Sequence, residues 1–200
     1  MVIDDITYKL PFNNYFSMVN KKKQIVIGHT FNNNMKHIIG WLHRYNGEYK
    51  KTAPFTIDIS GVIYKHFEPK YQSKFFNDLE LDSKTIVILL ENDGCLLKDT
   101  KKNNYINWIG DIYSKDIFEK KWRSKIFWEP YTKEQINSLI ELSKKLLKKF
   151  SIDNKFILFL YVSLWIKAWL SLVDCFLYFP PPAEISQPPK AFSSFIIHNS

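Results

Sequence analysis

The chain has 200 residues and a formal net charge of +8, from 28 lysines and arginines against 20 aspartates and glutamates. Hydrophobic residues make up 46% of it, which is enough to bury a core and excludes a chain that is disordered throughout. Its two cysteines exclude a disulfide framework and a four-cysteine zinc site. Only two of the 28 cationic residues are arginines, so we expect general attraction to anionic polymers and no specific nucleic-acid recognition.

Two short apolar runs, at residues 24–29 and 85–91, predict buried strands of a sheet. Residues 55–59 and 62–67 predict a β-hairpin, in which Gly61 adopts the positive φ that a tight turn requires. Buried strands and a hairpin that alternate with helical patterns indicate an α/β fold.

Helical spacing of apolar residues predicts a short helix from Met35 to about Asn46 and a long one that ends near Phe150. Thr132 and Gln135 have the spacing of a capping box, so the long helix should begin at Thr132. Four lysines between 144 and 149 lie near its C-terminal end, where the helix dipole favours positive charge.

The composition changes near residue 155, which divides the chain into a predicted domain at 1–154 and a hydrophobic, proline-rich tail at 155–200. Residues 156–179 are long enough to span a membrane, but Lys167 and Asp174 would each cost about 2.5–3.5 kcal/mol at the bilayer centre. A buried terminal helix or strand pair is therefore favoured. A membrane-associated segment, and a foreign ending produced by frameshift or recombination, stay open as alternatives.

The first ten residues lack a basic segment followed by an apolar core, so we predict no secretory signal peptide. Synthesis in the cytoplasm is expected, followed by release through lysis or incorporation into a particle.

Five segments, in order, carry a resemblance to a known family. They are residues 24–30 (QIVIGHT), the short helix, residues 55–64 (FTIDISGVIY), residues 85–92 (TIVILLEN) and residues 131–135 (YTKEQ). Over about residues 20–152 the chain resembles the zinc-dependent N-acetylmuramoyl-L-alanine amidases, whose fold is shared with amidase-type phage lysozymes and peptidoglycan recognition proteins. The resemblance implies a single α/β domain with a central mixed β-sheet flanked by helices. It also implies cleavage of the amide between muramic acid and L-alanine by a zinc-activated water.

The zinc ligands that the resemblance implies do not match this sequence. Gly28 occupies the position of the first ligand and has no donor atom, and His29 is a weak candidate because adjacent strand residues point to opposite faces. The aromatic residue and histidine that precede the hairpin in the family fall at Ala53 and Pro54. The other two ligands should follow the last helix, where residues 151–200 contain a single histidine.

The favoured interpretation is a degenerate, endolysin-like pseudoenzyme of viral or bacterial origin that binds peptidoglycan without efficient hydrolysis and needs no cofactor. An active amidase with an atypical zinc ligand set and a structural component of a phage particle are the alternatives. Candidate groove residues are His29, Thr30, Glu91, Asn92, Trp122, Arg123 and Trp128.

The aromatic-rich segment 105–131 predicts either a platform for sugar rings or a cap that packs over the sheet. Other polar residues are predicted to be structural. We expect His37 at a helix surface, His66 half-exposed on a strand, and Asp58 and Glu68 solvated on the hairpin.

Overall fold

The computed structural model describes residues 2–43, 51–122 and 124–159, and no side-chain statement below concerns His43 or Trp122. The predicted end of the first helix, Arg123 and nearly all of the predicted tail therefore lie outside the described residues. No helix within the described ranges combines the length and the hydropathy of a membrane span.

The central sheet has six strands, numbered here in chain order along the whole molecule. Their spatial order is β1 (Ile3–Asp4), β5 (Ile63–Lys65), β4 (Phe55–Ile57), β7 (Thr85–Leu90), β3 (Gln24–His29) and β13 (Ile157–Phe159). Strands β4, β7, β3 and β13 are parallel, and β5 is antiparallel to β4, so the predicted mixed sheet is confirmed. The turn of the predicted hairpin is present, with Gly61 at φ +84°.

Strand β13 lies within the segment predicted as a tail, because its three residues pair with β3 from Ile157↔Ile25 to Phe159↔Ile27. The beginning of that segment is therefore part of the sheet. The division of the chain into 1–154 and 155–200 stays a prediction.

In the part of the chain that the structure describes, three helices flank the sheet: α1 (Lys36–His43), α2 (Leu79–Lys84) and α3 (Lys133–Phe150). The capping box of α3 is present. The Thr132 hydroxyl accepts from the backbone N–H of Gln135, and the Gln135 side chain accepts from the backbone N–H of Thr132, both at 3.1 Å. These two bonds satisfy N–H groups that would otherwise lack a partner at the helix start.

Alternation along the strands gives the sheet two buried faces. Ile25, Ile27 and Leu90 pack with α3 on one face, whereas Val87 and Leu89 pack with α1 on the other. Gly28 is paired with Leu89, so its row lies on the α1 face.

The aromatic-rich segment forms most of a second, antiparallel sheet. Its spatial order is β10 (Ile112–Tyr113), β9 (Asn104–Ile106), β8 (Cys95–Asp99), β12 (Lys125–Trp128) and β11 (Phe118–Trp122). Because only four residues separate the end of β7 from the start of β8, this sheet joins the central one at the carboxyl end of its parallel strands. A ribbon of β2 (Phe16–Val19) and β6 (Tyr71–Gln72) completes the fold.

Candidate functional site

The carboxyl ends of β3, β4 and β7 meet at one edge of the central sheet, which is where ligands bind in many α/β folds. The segment 29–35 leaves β3 at this edge, and residues 91–94 leave β7. Most of the groove candidates from the sequence belong to these two segments, so the fold brings them together.

The described residues do not fit a zinc ion at the position that the resemblance implies. Gly28 offers no donor atom, and the paired residues along its row across the sheet are Leu89, Thr56, Tyr64 and, on the edge strand β1, Asp4. Within the described ranges, no three histidine, cysteine, aspartate or glutamate side chains are arranged to hold a metal ion. The two other ligand positions that the resemblance implies fall mainly beyond Phe159, outside those ranges.

Two histidines on the same face as Gly28 are bound to one hydroxyl. The Nε2 atoms of His37 and His66 lie 3.1 Å and 2.9 Å from Oγ1 of Thr56. The predictions of a surface position for His37 and a half-exposed one for His66 are wrong, since their exposed fractions are 9% and 0%. Thr56 supplies the partner that makes burial of both rings affordable in free energy.

The direction of each bond follows from the carbonyl at one end. Nδ1 of His66 lies 2.8 Å from the carbonyl oxygen of Tyr8, which only accepts, so Nδ1 carries the proton and donates it. Nε2 of His66 then accepts from the Thr56 hydroxyl, and the Thr56 oxygen accepts from Nε2–H of His37. Nδ1 of His37 is left as a buried lone pair without a hydrogen-bond partner among the described residues. This set of bonds is the one that two neutral rings form.

Desolvation keeps these rings uncharged near neutral pH. It lowers the pKa of His37 to about 3, with a smaller contribution from His66, and the pKa of His66 to about 4. Three of the four ring nitrogens are already in hydrogen bonds, so the pair forms a structural relay rather than a ready set of metal donors.

His29 lies on the opposite face of the sheet from Gly28, as strand alternation predicts. Its Nδ1 is 3.1 Å from the hydroxyl of Tyr131, which belongs to the core beneath α3. Burial lowers the pKa of His29 to about 4. His29 therefore does not substitute for a donor at position 28, although it does lie beside the loop that leaves β3.

Thr30, Glu91 and Asn92 are buried and connect the two segments at the edge. The Thr30 hydroxyl accepts from the backbone N–H of Asn92 at 3.3 Å, and a Glu91 carboxylate oxygen accepts from the backbone N–H of Asn34. Asn92 accepts from the N–H of Gly94 at 2.8 Å. These buried side chains hold together the two segments that form the rim of the edge, residues 29–35 and 91–94. Sequence reasoning therefore identified the right segments but not the side chains that are exposed on them.

Trp128 also lies inside the protein, where its indole N–H donates to the carbonyl of Lys120 at 2.8 Å. The side chain of Trp122 and the whole of Arg123 lie outside the described residues. Among the described residues, exposed aromatic surface at this edge is found on two other side chains.

Phe31 and Trp108 provide that surface and were missed as candidates. They are 42% and 57% exposed, and the Trp108 indole N–H donates to the carbonyl of Phe31. Trp108 belongs to the aromatic-rich segment, but no feature of the sequence separates it from buried neighbours such as Tyr113. Phe31 had a weaker signal, its place two residues after the end of a buried strand.

Carboxylates and one lysine lie behind these rings. Asp93 accepts from the side-chain amide of Asn33 at 2.5 Å, and Lys115 lies 3.6 Å from Glu129. Burial raises the pKa of both Asp93 and Glu129. The edge thus combines an exposed aromatic pair with partly buried polar groups, which suits a ligand that has both apolar and hydroxyl-bearing faces.

No family model and no curated protein sequence matches the chain. Solved structures do match its fold. A mutant endolysin from Bacillus subtilis has a TM-score of 0.50 and 15% identity over 87% of this chain and 94% of that chain. The chain has the amidase fold. This confirms the fold that the resemblance implied, and at such identity the similarity concerns the fold alone.

Two further solved structures are similar at slightly lower scores. The N-acetylmuramoyl-L-alanine amidase LysC from Clostridium intestinale URNW has a TM-score of 0.49 and 19% identity over 85% of this chain and 96% of that chain. The amidase AmiD from E. coli, in complex with a muropeptide substrate, has a TM-score of 0.48 and 16% identity over 72% of this chain and 50% of that chain.

Gly94 is required where the two segments of the amidase-fold edge approach each other. Its φ is +77°, and an added Cβ would lie 3.2 Å from both the His29 and the Phe31 rings. We expect Gly94→Ala to lower the free energy of unfolding by about 2–4 kcal/mol, through backbone strain together with overpacking. Urea unfolding measures this loss.

Gly110→Ala is the matched control, because Gly110 has φ +88° and no atom within 4 Å of an added Cβ. It isolates the backbone strain. Equal losses in the two variants would contradict the tight packing of His29 and Phe31 on Gly94.

Proposed function

We propose that this protein is directed to peptidoglycan and binds muropeptide at the carboxyl edge of its central sheet without efficient hydrolysis of the muramoyl–L-alanine amide. The observation that carries the proposal is Gly28, a residue without a donor atom at the first ligand position of an otherwise preserved amidase fold. On this proposal the protein is made in the cytoplasm, encoded by a phage, and reaches the wall through lysis or in a particle.

The chemistry of amide cleavage supports the non-hydrolytic part. A bound zinc ion would polarise the carbonyl and activate a water, and it needs three protein donors around an open position. The row that contains Gly28 supplies glycine, leucine, threonine and tyrosine, and it ends at Asp4, whose carboxylate accepts from the backbone N–H groups of Ile6 and Thr7. The threonine hydroxyl of this row is bound to His37 and His66. These side chains orient one another and present no donor toward a metal.

The polar groups at the edge support the binding part. Thr30, Glu91 and Asn92 are buried, and their hydrogen bonds join segments that are 62 and 57 residues apart in the chain. A buried polar network that is satisfied in this way holds a single arrangement of the loops above it. A preorganised rim favours binding because less conformational entropy is lost when the ligand arrives.

Three measurements on the purified full chain test the proposal. We expect co-sedimentation with insoluble peptidoglycan, no stoichiometric zinc by elemental analysis, and no release of L-alanine-terminated peptides from muropeptides by mass spectrometry. A zinc-loaded active amidase serves as the positive control for release.

Each other outcome points to a named alternative. Stoichiometric zinc together with peptide release would establish an active amidase with an atypical ligand set, in which residues outside the described ranges complete the site. A protein that stays in the supernatant would contradict the proposal and favour a structural component of a particle.

A further inference from the structure

We propose that Phe31 and Trp108 form a saccharide-stacking site that holds a sugar ring of the glycan strand. This inference rests on the proposed function and specifies which part of peptidoglycan the edge contacts. It concerns the glycan, whereas the amide chemistry of the fold concerns the bond to the peptide.

The two aromatic rings are exposed at the carboxyl edge of the central sheet, where we propose that muropeptide binds. Phe31 lies two residues after the end of β3, and Trp108 lies in the turn between β9 and β10. Their exposed fractions, 42% and 57%, are high for side chains that soluble proteins normally bury. An exposed aromatic pair at the rim of a ligand edge is the kind of apolar surface that marks a binding site.

The hydrogen bond between the two residues leaves an apolar surface for the ligand. The only polar atom of the Trp108 side chain, its indole N–H, donates to the carbonyl oxygen of Phe31. What remains accessible is the ring itself, whose faces suit the C–H groups on the apolar side of a pyranose.

The backbone of Phe31 is in a strained conformation that the surrounding residues maintain. Its φ is +57°, which costs a bulky residue about 1–3 kcal/mol. The Thr30 hydroxyl donates to the carbonyl of Asn32 at 2.6 Å across this residue, and the ring packs edge-on against His29 with centroids 4.0 Å apart. Strain retained at an exposed aromatic residue beside a ligand edge indicates a functional position.

The polar neighbours of the pair fit a carbohydrate. Asn34 is exposed three residues after Phe31. Lys36, at the start of α1, lies 3.7 Å from Asp111, which belongs to the loop that carries Trp108. An amide, an ammonium and a carboxylate around a small apolar surface are suited to the hydroxyl and acetamido groups at the edge of an aminosugar ring.

The test measures binding of two soluble probes to the full chain by titration calorimetry, and of one insoluble probe by co-sedimentation. The probes are the N-acetylglucosamine tetramer, an L-Ala-D-isoglutaminyl-L-Lys stem peptide and insoluble peptidoglycan. We expect Trp108→Ala to lower the affinity for the tetramer about tenfold, as truncation of an anchoring aromatic does, and to leave binding of the stem peptide unchanged.

Two further variants separate stacking from folding. Trp108→Phe keeps an aromatic face and should retain most of the affinity for the tetramer. Phe12→Ala removes another exposed aromatic side chain and should leave the affinity for the tetramer unchanged. Phe12 lies near the opposite edge of the central sheet, since the N–H of the nearby Leu10 donates to the carbonyl of His66, which follows β5.

The failures of the two proposals are distinguishable. If the wild-type chain sediments with peptidoglycan but ignores the tetramer, or if Trp108→Ala binds the tetramer as the wild type does, the stacking site is overturned and the peptidoglycan function stands. If the wild-type chain binds none of the three probes, the proposed function itself is overturned. A loss that Phe12→Ala shares, or that Trp108→Phe does not relieve, would also contradict stacking.

Discussion

The free energy of unfolding is expected to fall steeply as the pH drops from about 6.5 towards 4, because His37 and His66 are buried in the neutral form. The ordinary histidine pKa of 6.5 is lowered in the folded state to about 3 for His37 and about 4 for His66. The unfolded chain therefore binds more protons than the folded one throughout this window, and linkage makes stability increase with pH there. The contribution is fully present above pH 6.5.

The size of this loss follows from the pKa differences. At about pH 5 each of the two histidines should reduce the free energy of unfolding by about 2 kcal/mol relative to neutral pH. The sum, about 4 kcal/mol, is a large part of the 5–15 kcal/mol that typically stabilises a domain. His29, whose pKa is also lowered by burial, acts in the same direction.

Buried carboxylates change the pH dependence of stability in the opposite direction, so the contribution of a histidine has to be isolated with a variant. Burial raises the pKa of Asp82 to about 6, so its protonation favours the folded state as the pH falls. The slope of stability against pH in the wild type is therefore a net value. Because the Gln amide can still donate to Thr56 but does not titrate, His37→Gln should lower that slope between pH 5 and 6 by close to one proton.

Urea unfolding at a series of pH values measures both slopes. A wild-type stability that is flat between pH 5 and 7, or a His37→Gln slope equal to that of the wild type, would contradict the neutral relay. His37 and His66 have no carboxylate among the charges that shift their pKa values, so no nearby ion pair compensates for protonation.

Local patterns were enough to predict most of the central sheet and α3. The strands at 24–29 and 85–90 are continuous apolar runs, buried on both faces, and a run of that kind has few other conformations available. The capping box at Thr132 was equally readable, because its two hydrogen bonds connect residues only three apart.

The environment of the polar residues could not be predicted in the same way. Burial of His37 and His66 depends on Thr56, which is 19 and 10 residues away, and a periodicity that counts apolar residues treats a histidine as a surface position. Thr30 and Glu91 likewise take their roles from partners 62 and 57 residues distant. Such pairs become neighbours only through the pairing register of the strands, and the spacing of residues along the chain does not reveal that register.

The aromatic-rich segment illustrates a further limit. Trp108 and Trp128 both belong to this segment, yet the first is 57% exposed and the second is buried against β11. The strands of the second sheet are two to five residues long, and the pairing of β11 with β12 contains a register shift. Alternation of apolar and polar residues therefore could not assign side chains to the two faces of this sheet. The choice between a cap and a platform could not be made from the sequence, and it stays a prediction.

Gly61→Ala is expected to cause the largest single loss of stability, about 4 kcal/mol, because the tip of the hairpin lies directly on the start of α3. An added Cβ would lie 2.8 Å from the carbonyl oxygen of Glu134, a backbone atom of the first helical turn, and the φ of Gly61 is +84°. The strain of the positive φ and the overpacking each contribute about 1–3 kcal/mol. Ser138 donates to the Gly61 carbonyl at 2.6 Å, so a displaced hairpin would also break that bond.

Chemical unfolding of Gly61→Ala beside Gly110→Ala, which shares the positive φ without the contact, separates the two causes. A loss no greater than that of Gly110→Ala would show that the hairpin and α3 do not depend on this close approach.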